Sequence, residues 1–181
     1  QGYELEPVVD DAQDTFVEQV KSSFERLLHQ KKVDVAFAGF FIGTGVELDM
    51  VAEAGIPYIS QQAKLHISDL IKENRQKYRM IFQTCPDGTW YGWGFADFLR
   101  SVPDDWLQHG KTVAVIGGDN AYSGQIHPAM RPALEQLGYK ETHFEVVPYG
   151  IADWTPTLTK LRSDPPSVIA MCTGIMGDDA L

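Results

Sequence analysis

Polar and glycine-rich segments follow five apolar runs of this 181-residue chain. If the runs are strands of an open parallel sheet, ligands bind just beyond their carboxyl ends. Residues that bind a ligand or take part in catalysis are therefore expected there. The five segments are residues 10–14, 39–45, 61–64, 118–124 and 173–179.

The first two segments suggest ligand chemistry without a specific motif. Asp10, Asp11 and Asp14 could bind a hard cation, which prefers carboxylate oxygens. Alternatively, they form a solvated loop whose charge favours the helix start that follows. In segment 39–45, glycines could let backbone N–H groups approach a carboxylate or small polar ligand. The segment matches neither the dinucleotide-binding nor the P-loop glycine pattern, and a tight turn is the alternative.

Catalytic and metal-binding signatures are mostly absent from the sequence. Tyr122 could cover a small organic ligand or pack at a helix start. His127 could act as an acid–base group or lie half-exposed on a helix. Cys85 and Cys172 have no CxxC spacing and no nearby histidine pair, which predicts two small buried hydrophobes. No catalytic residue, metal site or cofactor is therefore predicted.

The charge of the chain argues against nucleic-acid binding. Its 25 acidic and 15 basic side chains give a net charge of −10, which would repel phosphates. A hydrophobic content of 44% is typical of globular proteins. No apolar run approaches the ~20 residues that span a bilayer. The start at Gln1 suggests a processed chain or one cut from a longer protein.

Short apolar runs alternate with segments of helical period, a pattern that predicts βα units and mainly parallel sheets. The predicted strands are Tyr3–Val9, Val33–Ala38, Pro57–Ser60, Arg79–Thr84, Thr112–Gly117, Phe144–Val147 and Val168–Thr173. The predicted helices are Phe16–Leu28, Val46–Ala54, Leu65–Gln76, Thr89–Val102, Ile126–Leu137 and Thr155–Ser163. Turn residues mark two candidate domain boundaries, at 85–88 and at 102–105.

The order of these segments resembles the type 1 periplasmic binding proteins. The segments that carry the resemblance are Leu5–Asp11, Val33–Gly39, Ala52–Ser60, Ile81–Pro86, Gly110–Ile116, Tyr122–Gly124, Ala152–Leu158 and Ser167–Ala170. Those from Ile81 to Gly124 are similar to the branched-chain amino-acid and amide/urea-binding branch. The resemblance implies an α/β fold of two Rossmann-like lobes, both incomplete here. Residues 1–85 would form part of the first lobe, without its first strand, and 86–181 part of the second.

The resemblance also implies a function. Such receptors close on a small ligand between their lobes and present it to an ABC permease, in the periplasm or outside the cell, some as membrane-anchored lipoproteins. They are not enzymes. The alternative is the ligand-sensing domain of a regulator or receptor, and an α/β enzyme is a third. Unpaired strand edges left by the missing strand would favour self-association.

Ligand contacts are implied by the resemblance at nine positions. They are Phe41, Gly43, Thr44, Gln62, Ala63, Lys64, Tyr122, Thr173 and Gly174. Amino-acid binders usually have a serine or threonine at the position of Gly43, and a small residue followed by threonine across 62–64. Gln62 could pair with an amide or urea through both its donor and its acceptor. Lys64 could instead pair with a carboxylate.

Overall fold

The computed structural model describes residues 2, 4–13, 16–39, 45–148 and 150–173. The chain forms two compact units, Gln1–Pro86 and Asp87–Leu181. In each unit helices alternate with the strands of a three-stranded parallel sheet. The predicted α/β class with parallel sheets in two groups is therefore confirmed. Within the described residues, no helix is both long and apolar enough to cross a membrane.

The described residues of the first unit form three helices and a sheet in the order β1-β2-β3. Its elements are α1 (Val17–Glu25), which continues as a π-helical segment (Arg26–Lys31), β1 (Ala36–Ala38), α2 (Val46–Ala54), β2 (Tyr58–Ser60), α3 (Leu65–Glu73) and β3 (Ile81–Gln83). Side chains alternate across the strands. Ala36, Tyr58 and Ile81 are buried in the core. On the other face, Ile59 is paired in register with Phe37 and Phe82.

The second unit has the strand order β5-β4-β6. Its elements are α4 (Gly88–Arg100), a 3-10 turn (Asp104–Trp106), β4 (Thr112–Gly118), α5 (Ser123–Gln136), β5 (Lys140–Val147), α6 (Thr155–Ser163) and β6 (Val168–Cys172). The central strand β4 is fully buried from Val113 to Ile116. A strand covered on both faces must be apolar throughout, which explains why this run was recognisable from sequence.

Two strand predictions need correction. Residues 4–9 of the predicted strand Tyr3–Val9 form no strand, and Leu5 and Val9 are almost fully exposed. A strand exists only where a neighbour takes up its N–H and C=O groups, and these residues pair with no strand in the described part of the chain. Conversely, β5 begins at Lys140, because its polar first half pairs with β4 through Thr112 and Val113.

The two cysteines differ in their surroundings. Cys172 is buried as predicted, and burial raises the pKa of its thiol to about 11. Cys85 is only partly buried, because it lies in the turn after β3 rather than within a strand. A thiol with a raised pKa is a poor nucleophile at neutral pH.

Candidate functional site

The carboxyl end of the first sheet brings together the residues that directly follow its three strands. Because β1, β2 and β3 are parallel, the residues that follow them lie along one edge. The N–H of Gln61 donates to the carbonyl of Ala38 at 3.0 Å, and the N–H of Thr84 donates to that of Ser60 at 2.9 Å. Segment 61–64, which links β2 to α3, is thereby placed at the centre of this edge.

Gln62 lies inside the unit with its side chain fully buried. Its Nε2 donates to Glu47 Oε1 at 2.7 Å and to the Tyr58 hydroxyl at 3.3 Å. Glu47 lies in the first turn of α2 and is also fully buried. Gln62 Oε1 and Glu47 Oε2 have no hydrogen-bond partner among the described residues. The pair therefore retains two buried acceptor atoms.

Lys64 adds a positive charge next to this pair. It is the residue that precedes α3, has extended backbone geometry and is 4% exposed. Burial lowers the pKa of its ammonium group, and the negative charge of Glu47 opposes that shift. Burial also raises the pKa of the Tyr58 hydroxyl, so that it stays protonated. The edge thus contains one basic and one acidic side chain that interact within low-dielectric surroundings.

Gln83, the last residue of β3, connects this edge to two other elements. Its Nε2 donates to the backbone carbonyls of Gln62 at 2.9 Å and Lys64 at 3.3 Å. Its Oε1 accepts a hydrogen bond from the Ser68 hydroxyl of α3 at 2.9 Å. One half-buried amide therefore contacts the β2–α3 connection and the first turns of α3.

The second unit has its own carboxyl edge, after β4 and β6. Asn120 Oδ1 accepts a hydrogen bond from the N–H of Ser123 at 2.9 Å, which fixes the start of α5. The ring of Tyr122 packs edge-on against Tyr91, with 5.6 Å between centroids. Thr173, directly after β6, is buried. The Ser123 hydroxyl is buried and has no hydrogen-bond partner in the described ranges.

The structure places the predicted ligand residues on these two edges as far as they are described. Gln62, Ala63 and Lys64 are contiguous and buried in the first unit, and Tyr122 and Thr173 lie at the edge of the second. Four predicted positions fall outside the described residues. They are Phe41, Gly43, Thr44 and Gly174.

Sequence reasoning missed Glu47 and Gln83. Glu47 resembles an ordinary solvent-facing helix residue, and no local signal indicates its burial. One sequence feature could have indicated Gln83 as a site residue, because it is a polar residue at the carboxyl end of an apolar strand.

Two other candidates are part of the packing. Asp10 accepts hydrogen bonds from Arg26 Nε at 3.0 Å and Ser23 Oγ at 2.8 Å, which lower its pKa, chiefly through Arg26. His127 Nε2 lies 2.7 Å from Glu141 Oε2, and its ring stacks on Phe144. Over the described ranges, no group of three side chains suited to a metal ion occurs.

The chain is similar to several solved structures. The chain is similar to a protein described as a branched-chain amino acid ABC transporter from Silicibacter pomeroyi, with 32% identity and a TM-score of 0.77 over 92% of this chain and 43% of that one. An extracellular ligand-binding receptor from Rhodopseudomonas palustris HaA2 has 20% identity and a TM-score of 0.66, over 85% of this chain and 40% of that one.

A further similar structure contains a ligand. It is a solute binding protein of an ABC transporter from Rhodopseudomonas palustris HaA2 in complex with p-hydroxybenzoic acid, with 19% identity and a TM-score of 0.65 over 86% of this chain and 39% of that one. The chain thus spans about two fifths of the length of these three proteins.

The search of curated proteins gave no match. The family model of the periplasmic binding proteins matches residues 1–179. That match covers nearly the whole chain, and the parallel α/β arrangement agrees with it. The chain therefore belongs to the periplasmic binding protein family.

Proposed function

We propose that this protein is an extracytoplasmic solute receptor that captures a small polar ligand for the permease of an ABC importer. The ligand would be an amino acid, a short amide or urea. Family membership supports this function, as does the relative from Silicibacter pomeroyi described as a branched-chain amino acid ABC transporter. In this proposal the units Gln1–Pro86 and Asp87–Leu181 belong to the first and second lobe of the receptor.

The observation that carries the proposal is the set of buried polar atoms without partners beside the strand ends. Gln62 Oε1 and Glu47 Oε2 are such atoms in the first unit, and Ser123 Oγ is one in the second. A buried polar atom without a hydrogen bond costs about 1–3 kcal/mol, so native proteins rarely leave one unsatisfied. A polar ligand that reaches such an atom in either unit would remove that cost on binding.

The charges at the first edge favour a ligand without net charge. A bare carboxylate would be attracted by Lys64 but repelled by Glu47, whose charge acts on the same ammonium group. An amino acid is zwitterionic, and amides and urea are neutral with both donors and acceptors. Such ligands can satisfy the acceptor atoms of Gln62 and Glu47 through N–H groups. We therefore expect amino acids, amides and urea to bind more tightly than simple acids such as benzoate.

Calorimetry on the receptor with leucine, acetamide, urea and benzoate tests this proposal. We expect at least one of the first three to bind more tightly than benzoate, and no ammonia to be released from acetamide or urea. No binding of the first three would contradict the receptor function. Ammonia release that depends on His127 or Cys85 would establish an enzyme instead.

Tyr122 provides a test of the proposed contacts. Tyr122→Ala should weaken binding of the captured ligand by about 1–3 kcal/mol, because the apolar cover of the ring is lost. Tyr122→Phe keeps the ring and should bind almost normally. Tyr91→Ala removes the same ring pair from the α4 side, and it serves as the matched control for packing. Equal affinity of Tyr122→Ala and the unsubstituted receptor would exclude Tyr122 from the site.

A further inference from the structure

We propose that Gln83 is a positioning residue that holds segment 61–64 in the shape that binds ligand. The proposal rests on the function proposed above, in which this segment contacts the ligand. Gln83 itself is assigned no ligand contact. It acts through the backbone of the neighbouring connection, to which its side-chain amide is bonded.

The hydrogen bonds of Gln83 use its side chain almost completely. A primary amide has two N–H donors and one carbonyl oxygen. Nε2 donates to the carbonyls of Gln62 and Lys64, at 2.9 and 3.3 Å, and Oε1 accepts from Ser68 Oγ at 2.9 Å. Because Oε1 accepts from Ser68, the amide is oriented with Nε2, and not Oε1, toward the two carbonyls.

Segment 61–64 depends on such outside support. It belongs to neither β2 nor α3 but connects the two. Lys64, which precedes α3, makes no side-chain cap hydrogen bond to the helix. Its carbonyl accepts hydrogen bonds from the N–H of Ile67 and from Gln83 Nε2, both at 3.3 Å. Buried carbonyls need hydrogen-bond partners. Gln83 donates one hydrogen bond to the carbonyl of Gln62 and one to that of Lys64.

The segment is also bonded to α2. Gln62 Nε2 donates to Glu47 Oε1 at 2.7 Å, so the segment is anchored through a side chain as well as through its backbone. Two anchors leave it little conformational freedom before ligand arrives. Preorganisation of this kind raises affinity, because the ordering cost is not incurred on binding.

Gln83 is a better position for substitution than Glu47. Gln83 is only partly buried. Glu47 is fully buried, and its substitution would remove the carboxylate that accepts the 2.7 Å hydrogen bond from Gln62. Gln83→Met keeps the length of the side chain and removes all three hydrogen bonds. Gln83→Glu still accepts from Ser68 but cannot donate to the carbonyls. Gln19→Met, at an exposed position of α1, is the matched control.

The experiment measures amide hydrogen exchange and ligand affinity on the same receptor variants. Without ligand, we expect amides of residues 61–67 to exchange at least tenfold faster in Gln83→Met and Gln83→Glu, and amides of β4 to be unchanged. Binding of leucine, acetamide or urea, measured well below the melting temperature, should weaken about tenfold in both variants. Gln19→Met should match the unsubstituted receptor in both measurements.

Each other outcome overturns a stated part of the proposal. Unchanged exchange in Gln83→Met, or normal behaviour of Gln83→Glu, would show that the donors do not hold the segment. Faster exchange with unchanged affinity would show a purely structural role. If the unsubstituted receptor bound none of the three probes, the proposed function would fail, and exchange alone would decide whether Gln83 holds the segment.

Discussion

Asp49 connects α2 to the segment that precedes β3. Its Oδ1 accepts a hydrogen bond from the Tyr78 hydroxyl at 2.7 Å and lies 2.6 Å from Lys77 Nζ. Tyr78 is buried against the core of the first unit. The hydrogen bond from Lys77, followed by that from Tyr78, lowers the pKa of Asp49 below its ordinary value of 3.8. The ionised carboxylate is therefore the form that stabilises the folded unit.

Asp49 should make the first unit sensitive to acid. A group whose pKa is lower in the folded state stabilises the protein above its unfolded pKa, and this contribution is lost as pH falls through the folded value. Asp49→Asn should therefore lose less stability than the unsubstituted protein between about pH 5 and about pH 3. Urea unfolding at the two pH values measures the difference. Asp69→Asn removes an exposed pair with Lys72 and is the control. Equal acid losses in Asp49→Asn and the unsubstituted protein would refute the role of the carboxylate.

The packing of α4 on α5 depends on a glycine. A Cβ at Gly92 would come within 2.5 Å of the Ile126 carbonyl oxygen and 2.8 Å of the Met130 nitrogen. Both atoms belong to the backbone of α5, so neither can rotate away as a flexible side chain would. Gly94 lies two residues later in the same helix, and a Cβ there would meet nothing within 4 Å. The two glycines therefore differ in packing rather than in secondary structure.

Gly92→Ala should push the two helices apart and lower the free energy of unfolding by about 1–3 kcal/mol. Gly94→Ala should instead raise it by about 0.5–1 kcal/mol, because alanine restricts the unfolded chain and favours the helix. Urea unfolding of the second unit measures both changes. If both variants shift the free energy of unfolding in the same direction, the close approach of α4 and α5 does not decide the effect of a side chain at Gly92.

On the scale of the whole molecule, the first sheet leaves apolar side chains exposed. Phe37 is 60% exposed and Phe82 is 52% exposed, and both are paired in register with Ile59 between them. Val35, directly before β1, is also half-exposed. A contiguous apolar surface of this kind usually marks a site of contact with another protein chain.

The 181-residue chain made alone should therefore self-associate at micromolar concentrations. Phe37→Thr keeps a residue that favours strands and should shift the chain toward monomer. Trp106→Thr removes an aromatic ring of the second unit that is 71% exposed, and should leave association unchanged. Sedimentation measures all three. A monodisperse monomer before substitution would contradict the prediction.

Local patterns of the sequence determined the parallel α/β class and most element positions. The period of apolar residues predicted α2 at Val46–Ala54 as observed, with Gly55 ending it in a left-handed conformation. The continuous apolar run Thr112–Gly117 predicted the strand β4, observed at Thr112–Gly118. These signals act over a few neighbouring residues, since helix hydrogen bonds and side-chain alternation are local. The order of the segments also sufficed to recognise the family.

Only the tertiary structure decided which residues surround the candidate site. Glu47 reaches Gln62 across 15 positions, and Gln83 reaches the same residue across 21. Residues 4–9 carry a strand-like pattern but form no strand, because a ladder also needs a neighbour. The burial of Glu47 and the lowered pKa of Lys64 likewise depend on segments that meet only after folding. Such contacts join residues that are remote in sequence, so a local sequence pattern cannot indicate them.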